Sequence, residues 1–174
     1  MNSPSRRRLL LPEYPARSPE IAVLLGMLED SRRRTLDVCE DLSAGAFAAR
    51  PAGHRHSIGD LLYHIAFIEA DWLYVDVLET PMPPAIAALL PHPDRDADAR
   101  LSLTGPESPA AHRYRLESVR RELVLTLQNL PGEELRRARR FPDRDVTPLW
   151  VIHHLLQHEA EHRAQIRAVK RALS

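Results

Sequence analysis

The chain has 174 residues, enough for one domain with a sizeable core, and its 24 Lys and Arg balance its 24 Asp and Glu. That balance excludes the global basic field of a nucleic-acid binder, and no apolar run approaches the roughly twenty residues needed to span a bilayer. The single cysteine, Cys39, cannot form an internal disulfide, which suits a reducing compartment. The Leu9-Leu10-Leu11 stretch is too short for a secretory signal, so a cytoplasmic protein is the expectation.

Residues 1–17 are rich in Arg and Pro and read as an extended arm, leaving 18–174 as the folded domain. Ser18-Pro19-Glu20 carries the marks of a helix start: a capping hydroxyl, Pro at the first helical position and an acid in the first turn. The stripe Ile21, Leu24, Leu25, Leu28, Leu36 and Cys39 continues that helix to about Leu42. Residues 43–56, with Gly45, Pro51 and Gly53, form a connection. Ser57-Ile58-Gly59-Asp60 resembles a capping box, and the second helix runs from there to about Glu79. Residues 80–107 hold six of the fifteen prolines, with room for a short helix near 84–90. Ser108-Pro109 opens a third helix that stops at Pro131-Gly132. The stretch 131–146 is irregular, with extended chain around Arg140-Phe141. Thr147-Pro148 opens a fourth helix that continues nearly to the C-terminus. The arginine clusters at 6–8, 32–34 and 136–140 read as solvated tail, helix face and loop. Four long helices with a long link between the second and third predict an all-α four-helix bundle with a crossover connection.

The fourth helix carries His154, His158 and His162 at four-residue steps, so the three imidazoles lie along one face. An HxxxH pair on a helix can hold one divalent ion. His158-Glu159-Ala160-Glu161-His162 also fits the H-E-x-x-H pattern of zinc peptidases. Those enzymes take a further ligand from downstream, yet the last twelve residues here contain no His, Asp, Glu or Cys. A third protein ligand therefore comes from upstream. The candidates are His54, His56, His64, His92, His112 and carboxylates, and only His64 sits in a strongly patterned helix. A di-metal carboxylate centre is disfavoured, because Glu159-x-x-His162 has no counterpart on the second helix.

With these features in place, the chain resembles the DinB/YfiT-like family of metalloenzymes, which are DinB-like four-helix bundles. The resemblance rests on Ser57-Ile58-Gly59-Asp60-Leu61-Leu62-Tyr63-His64 with Glu69 and Trp72, and on Thr147-Pro148-Leu149-Trp150, His154, Gln157-His158-Glu159 and His162-Arg163-Ala164-Gln165-Ile166. It implies that His64, His158 and His162 ligate one divalent metal ion. The family's HRGQ run is HRAQ here, with Ala164 for Gly, and Gln157 stands where Asn is frequent. Neither change removes a ligand.

Three neutral imidazoles leave an open coordination position, where zinc lowers the pKa of bound water to about 7. Zinc is the expected ion, with nickel, iron or manganese as alternatives. Characterised relatives use low-molecular-weight thiols such as bacillithiol or mycothiol. The resemblance therefore implies an S-transferase acting on a small-molecule electrophile, and a homodimer. Two other readings stand beside it: a metal-dependent hydrolase with Glu159 or another acid as base, and a non-catalytic, stress-linked metal-binding bundle protein. His154 is expected to orient a ligand or line the pocket, and His153 to face away. Glu69 and Asp71 are candidate supporting acids, with Asp71 nearly on the face of His64. Trp72 and Trp150 read as core residues, and Cys39 as a small buried apolar side chain.

Overall fold

Four hydroxyl caps set the beginnings of the long helices. In the computed structural model, which describes residues 10–174, Ser18, Ser57, Ser108 and Thr147 each accept a hydrogen bond from the backbone N–H three residues on. The helices that follow are α1 (Pro19–Cys39), α2 (Ala44–Ala48), α3 (Ile58–Asp71), α4 (Pro84–Ala87), α5 (Pro109–Asn129) and α6 (Pro148–Ala172). The anticipated capping box is present: Asp60 N–H donates to Ser57 Oγ, and Ser57 N–H donates to Asp60 Oδ2. Among the described residues, the helices are joined by one small antiparallel hairpin, β1 (Arg139–Arg140) with β2 (Asp145–Val146). Its first strand lies where extended chain was expected.

The apolar stripes of the long helices meet in one core. Helix α3 packs on α5 and α6, and α1 packs on α6 and α5. Leu25, Leu28, Leu61, Leu62, Ile65, Leu123, Leu127 and Ile166 are buried there. Each such side chain contributes about 1.5–3 kcal/mol relative to exposure. No helix among the described residues is long and apolar enough to cross a membrane. Residues 1–9 of the expected arm lie outside the described residues. Residues 10–17 run against α1 and α5: Arg17 N–H donates to Gln128 O at 3.1 Å, and a Cβ on Gly26 would lie 2.5 Å from Pro12 O.

Three expectations need correction. The second helix is not uniform to Glu79. After Asp71 it widens into a π-helical stretch, Trp72–Val77, with Leu78 N–H donating to Leu73 O at 3.0 Å. Residues 43–56 contain the short helix α2. Arg32 and Arg139, read as solvated, are buried. The Arg139 guanidinium donates to the carbonyls of Arg137 and Glu134 and to the Glu134 carboxylate, so it holds the chain ahead of the hairpin.

The connection from α3 to α5 is fastened to the helices rather than loose. Asp60 accepts from Arg50 and from both the N–H and the hydroxyl of Thr104. Tyr63 Oη donates to His92 O at 2.6 Å, and Arg115 Nε donates to Leu89 O at 2.6 Å. These bonds fix the segment that carries Asp94 over one end of α3.

Candidate metal centre

His64 comes from the buried face of α3, and His158 and His162 from successive turns of α6. The structure brings one ring nitrogen of each within 4.8 Å of the others. His158 Nε2 lies 3.0 Å from His64 Nε2 and 3.1 Å from His162 Nε2. The outer nitrogens of two rings are engaged elsewhere. His64 Nδ1 is 2.5 Å from Asp94 Oδ1, and His162 Nδ1 is 2.9 Å from Gln165 Oε1. Both partners are oxygen acceptors, which assigns the ring proton to Nδ1 and the lone pair to Nε2. Two inward lone pairs therefore face the nitrogen of His158, and one proton there can serve only one of them at a time. A cation satisfies all three. The donor set fits a divalent ion of the zinc, nickel or iron type.

The electrostatics favour neutral rings. Burial drives the His158 pKa down to about 3, with His162, His64 and His154 adding to the shift. Burial also lowers His162, although its hydrogen bond with Gln165 opposes the shift. Unprotonated imidazoles are the form that binds metal.

The cluster lies at the side of an open cavity of about 690 Å³. The α3 stripe His64, Ile68, Asp71 and Trp72 forms one wall, and the α6 stripe His154, His158, His162 and Gln165 forms the facing wall. Asp94, Arg95 and Leu101 close it from the connection, while Asp76 and Arg144 stand on a further side. Arg144 donates to Asp76 Oδ1 at 2.8 Å and lies 5.6 Å above the Trp72 ring. His56 also lines the cavity, with its buried Nε2 unpartnered among the described residues. Among the other upstream histidines, His112 is instead a buried packing residue, stacked on Phe47.

The other expected residues divide. His153 is exposed. His154 lines the cavity but makes no hydrogen bond to a cluster histidine. Its ring stacks on Trp150 at 5.2 Å with 7° between planes, and sits 4.9 Å from Trp72. Trp150 is 48% exposed, so the expectation of a core residue fails for it. Pro148, Val151 and Ile152 around it are buried, so Trp150 stands on the outward face of the first turn of α6. Trp72 is half-buried and lines the cavity. Ala164 is exposed, so its methyl meets no close helix contact. Cys39 is half-buried, and desolvation raises its thiol to about 11, which makes it unreactive.

Glu159 does not serve the cavity. It is buried, accepting from Arg32 Nε at 2.8 Å and Arg120 Nη2 at 3.1 Å. Glu69 shares the same two arginines at 2.7 Å each. Burial alone would raise the Glu159 pKa, but Arg32 and Arg120 outweigh it and hold the carboxyl below its ordinary value. A group so held is a poor base, and the cluster occupies the core rather than the site. Asp71 has the opposite surroundings. It is half-buried, lines the cavity, and makes no ion pair or side-chain hydrogen bond among the described residues.

The residues that orient the rings, Asp94 and Gln165, were not among the sequence candidates. Gln165 had a local signal, three positions after His162 on the same helix side. Asp94 had none beyond its place in the connection.

The fold and site together define a helical protein with a three-histidine cluster between two long helices, beside an open pocket. The chain belongs to the DinB superfamily, whose model matches residues 27–166. Among solved structures, one described as the conserved protein of locus from Enterococcus faecalis is similar, with a TM-score of 0.64 and 13% identity over 86% of this chain and 94% of that chain. At that identity the likeness concerns the fold alone. No curated protein matches the chain.

Proposed function

We propose that this protein is a four-helix bundle, with its crossover between α3 and α5, that holds one divalent ion, zinc in the first instance, on His64, His158 and His162 and transfers a low-molecular-weight thiol to an electrophile. The observation that carries the metal part is the convergence of three Nε2 atoms whose outer nitrogens are held, in two cases, by oxygen acceptors. When bound, the ion supplies a Lewis acid that favours the deprotonated form of a thiol or water at its open position.

The chain's own residues supply the rest. Asp94 and Gln165 fix the ring orientations of His64 and His162. Burial keeps His158 neutral, ready as a donor. Trp72, Ile68 and His154 give an apolar wall for the electrophile, and the paired Asp76 and Arg144 give a polar rim. An open pocket favours a catalytic site over a closed structural ion. Glu159 is withdrawn as a base for the hydrolase reading, since it is committed to Arg32 and Arg120. Pairing of two copies belongs to the same proposal, with exposed Val23 and Met27 on α1 offering apolar surface. A mass of one chain by light scattering would remove that part.

The test is to purify the protein without chelators, measure its metal by elemental analysis, and incubate it with bacillithiol, mycothiol or glutathione plus a generic electrophile. One ion per chain is expected, with conjugate formed above the uncatalysed rate and lost in His162→Ala. Metal without conjugation would leave a hydrolase or a non-catalytic metal-binding protein. Absence of metal would remove the ligand assignment.

A further inference from the structure

We propose that Asp71 is the group that accepts the proton of a thiol entering this cavity, which makes it a catalytic residue of the site. The inference rests on the thiol-transfer reading above and adds a residue to it.

The geometry comes first. Asp71 follows His64 by seven positions on α3, two turns along nearly the same face, which places their backbones about 10 Å apart. Ile68 lies between them on that stripe, and all three line the cavity. A thiol entering along the stripe therefore meets the Asp71 carboxylate and the histidine cluster on the same wall, so its S–H can reach the carboxylate directly or through one water.

The other two acids of the cavity are already engaged. Asp76 pairs with Arg144 at 2.8 Å on the hairpin side. Asp94 holds His64 at 2.5 Å and meets Arg95 at 3.3 Å from the connection. From α6, His154 stacks on Trp150, and His56 lines the cavity ahead of α3. Asp71 alone among the three cavity acids has no partner among the described residues, and its half-buried side chain lines the cavity. Burial raises its pKa, and the charges of Asp76 and Asp94 raise it further, against a smaller opposing effect from Arg144. The net upward direction makes it a better proton acceptor than an ordinary surface aspartate.

The proton balance is simple. The S–H bond of the thiol breaks, the electron pair stays on sulfur, and the proton forms an O–H bond on the Asp71 carboxylate. When sulfur attacks the electrophile, the same proton is available to the leaving group or to solvent. No oxidant or reductant is needed.

The test counts protons rather than turnover. Zinc-loaded wild-type protein and Asp71→Asn are titrated with 2-mercaptoethanol at pH 6.5 by calorimetry, in two buffers of different ionisation enthalpy. A free thiol is protonated at that pH. Wild type should release about one proton fewer per thiol bound than Asp71→Asn, because the carboxylate keeps it. Asp71→Glu should restore the wild-type count. Zinc content and melting temperature should be equal in all three. In metal-free protein, the carboxyl carbon of Asp71, followed by NMR, should titrate above the ordinary aspartate range. Equal proton release in wild type and Asp71→Asn, no thiol binding to zinc-loaded protein, or an ordinary titration of Asp71 would each overturn the proposal. Failure of the metal reading is distinct, because elemental analysis reports it before any thiol is added.

Discussion

Asp94 Oδ1 stands 2.5 Å from His64 Nδ1, although thirty positions and the whole of α4 separate the two residues in the chain. The contact makes the connection between α3 and α5 part of the metal centre. Its acceptor fixes which nitrogen of His64 faces the cluster.

Replacing that acceptor should weaken metal binding without unfolding the chain. Asp94→Ala is expected to lose about 10–100-fold in zinc affinity. Competition with a chromophoric chelator measures it, and circular dichroism should show unchanged helix content. Equal affinity in the two proteins would mean that Asp94 does not position His64.

Among the ligands, His64→Ala, His158→Ala and His162→Ala should each strip most of the metal from purified protein, since a three-ligand site loses a third of its donors. His153→Ala, exposed and one position from His154, should retain it. Elemental analysis of the four variants decides the assignment, and retention by any ligand variant would remove that residue from it.

Acid should destabilise the metal-free protein. His158 has a folded pKa near 3, against an ordinary value of 6.5, so the unfolded chain binds the extra proton first. Its contribution to stability is full above about pH 6.5 and falls as pH drops towards 3. The slope approaches about 1.4 kcal/mol per pH unit for each histidine kept neutral. Melting temperatures of metal-free protein between pH 7 and 5, above the range of most carboxylates, should fall in wild type and fall less in His158→Gln. A parallel fall in both would refute the burial argument.

The core ion cluster makes a separate prediction. Arg120 donates to both Glu69 and Glu159 and to the carbonyl of Leu28 at 2.7 Å. Removing one partner leaves buried charge uncompensated, so Arg120→Met should cost about 3–5 kcal/mol in denaturant unfolding. Glu159→Gln should keep full zinc occupancy while also losing stability. A Glu159→Gln protein of wild-type stability that is inactive on substrate would return Glu159 to the chemistry.

Much of this was legible in the chain itself. Ser18-Pro19, Ser57 with Asp60, Ser108-Pro109 and Thr147-Pro148 are local signals, complete within a few residues, and all four are helix starts in the structure. The four-residue histidine ladder is local too, and its pairing with His64 came through the family resemblance. What stayed hidden depends on distant partners. Arg32 looks like its neighbours Arg33 and Arg34, and only the carboxylates of Glu69 and Glu159 draw it inside. The widening at Trp72–Val77 has no residue signature. Trp150 reads as core because its composition is apolar, but its position on the helix leaves it at the rim.

On α6, His158 turns to the cavity and Glu159 to the core, consecutive residues about 100° apart. That adjacency works as an alignment pin for the whole helix. A slip of one residue in either direction would aim a carboxylate at the imidazoles or an imidazole at two arginines. Sliding or rotating α6 is therefore closed to this protein as a way of adjusting its pocket. Single-residue insertions or deletions between Thr147 and His158 should be far less tolerated than changes of equal size in the connection around residues 95–100, and variation in substrate preference should arise in that connection instead.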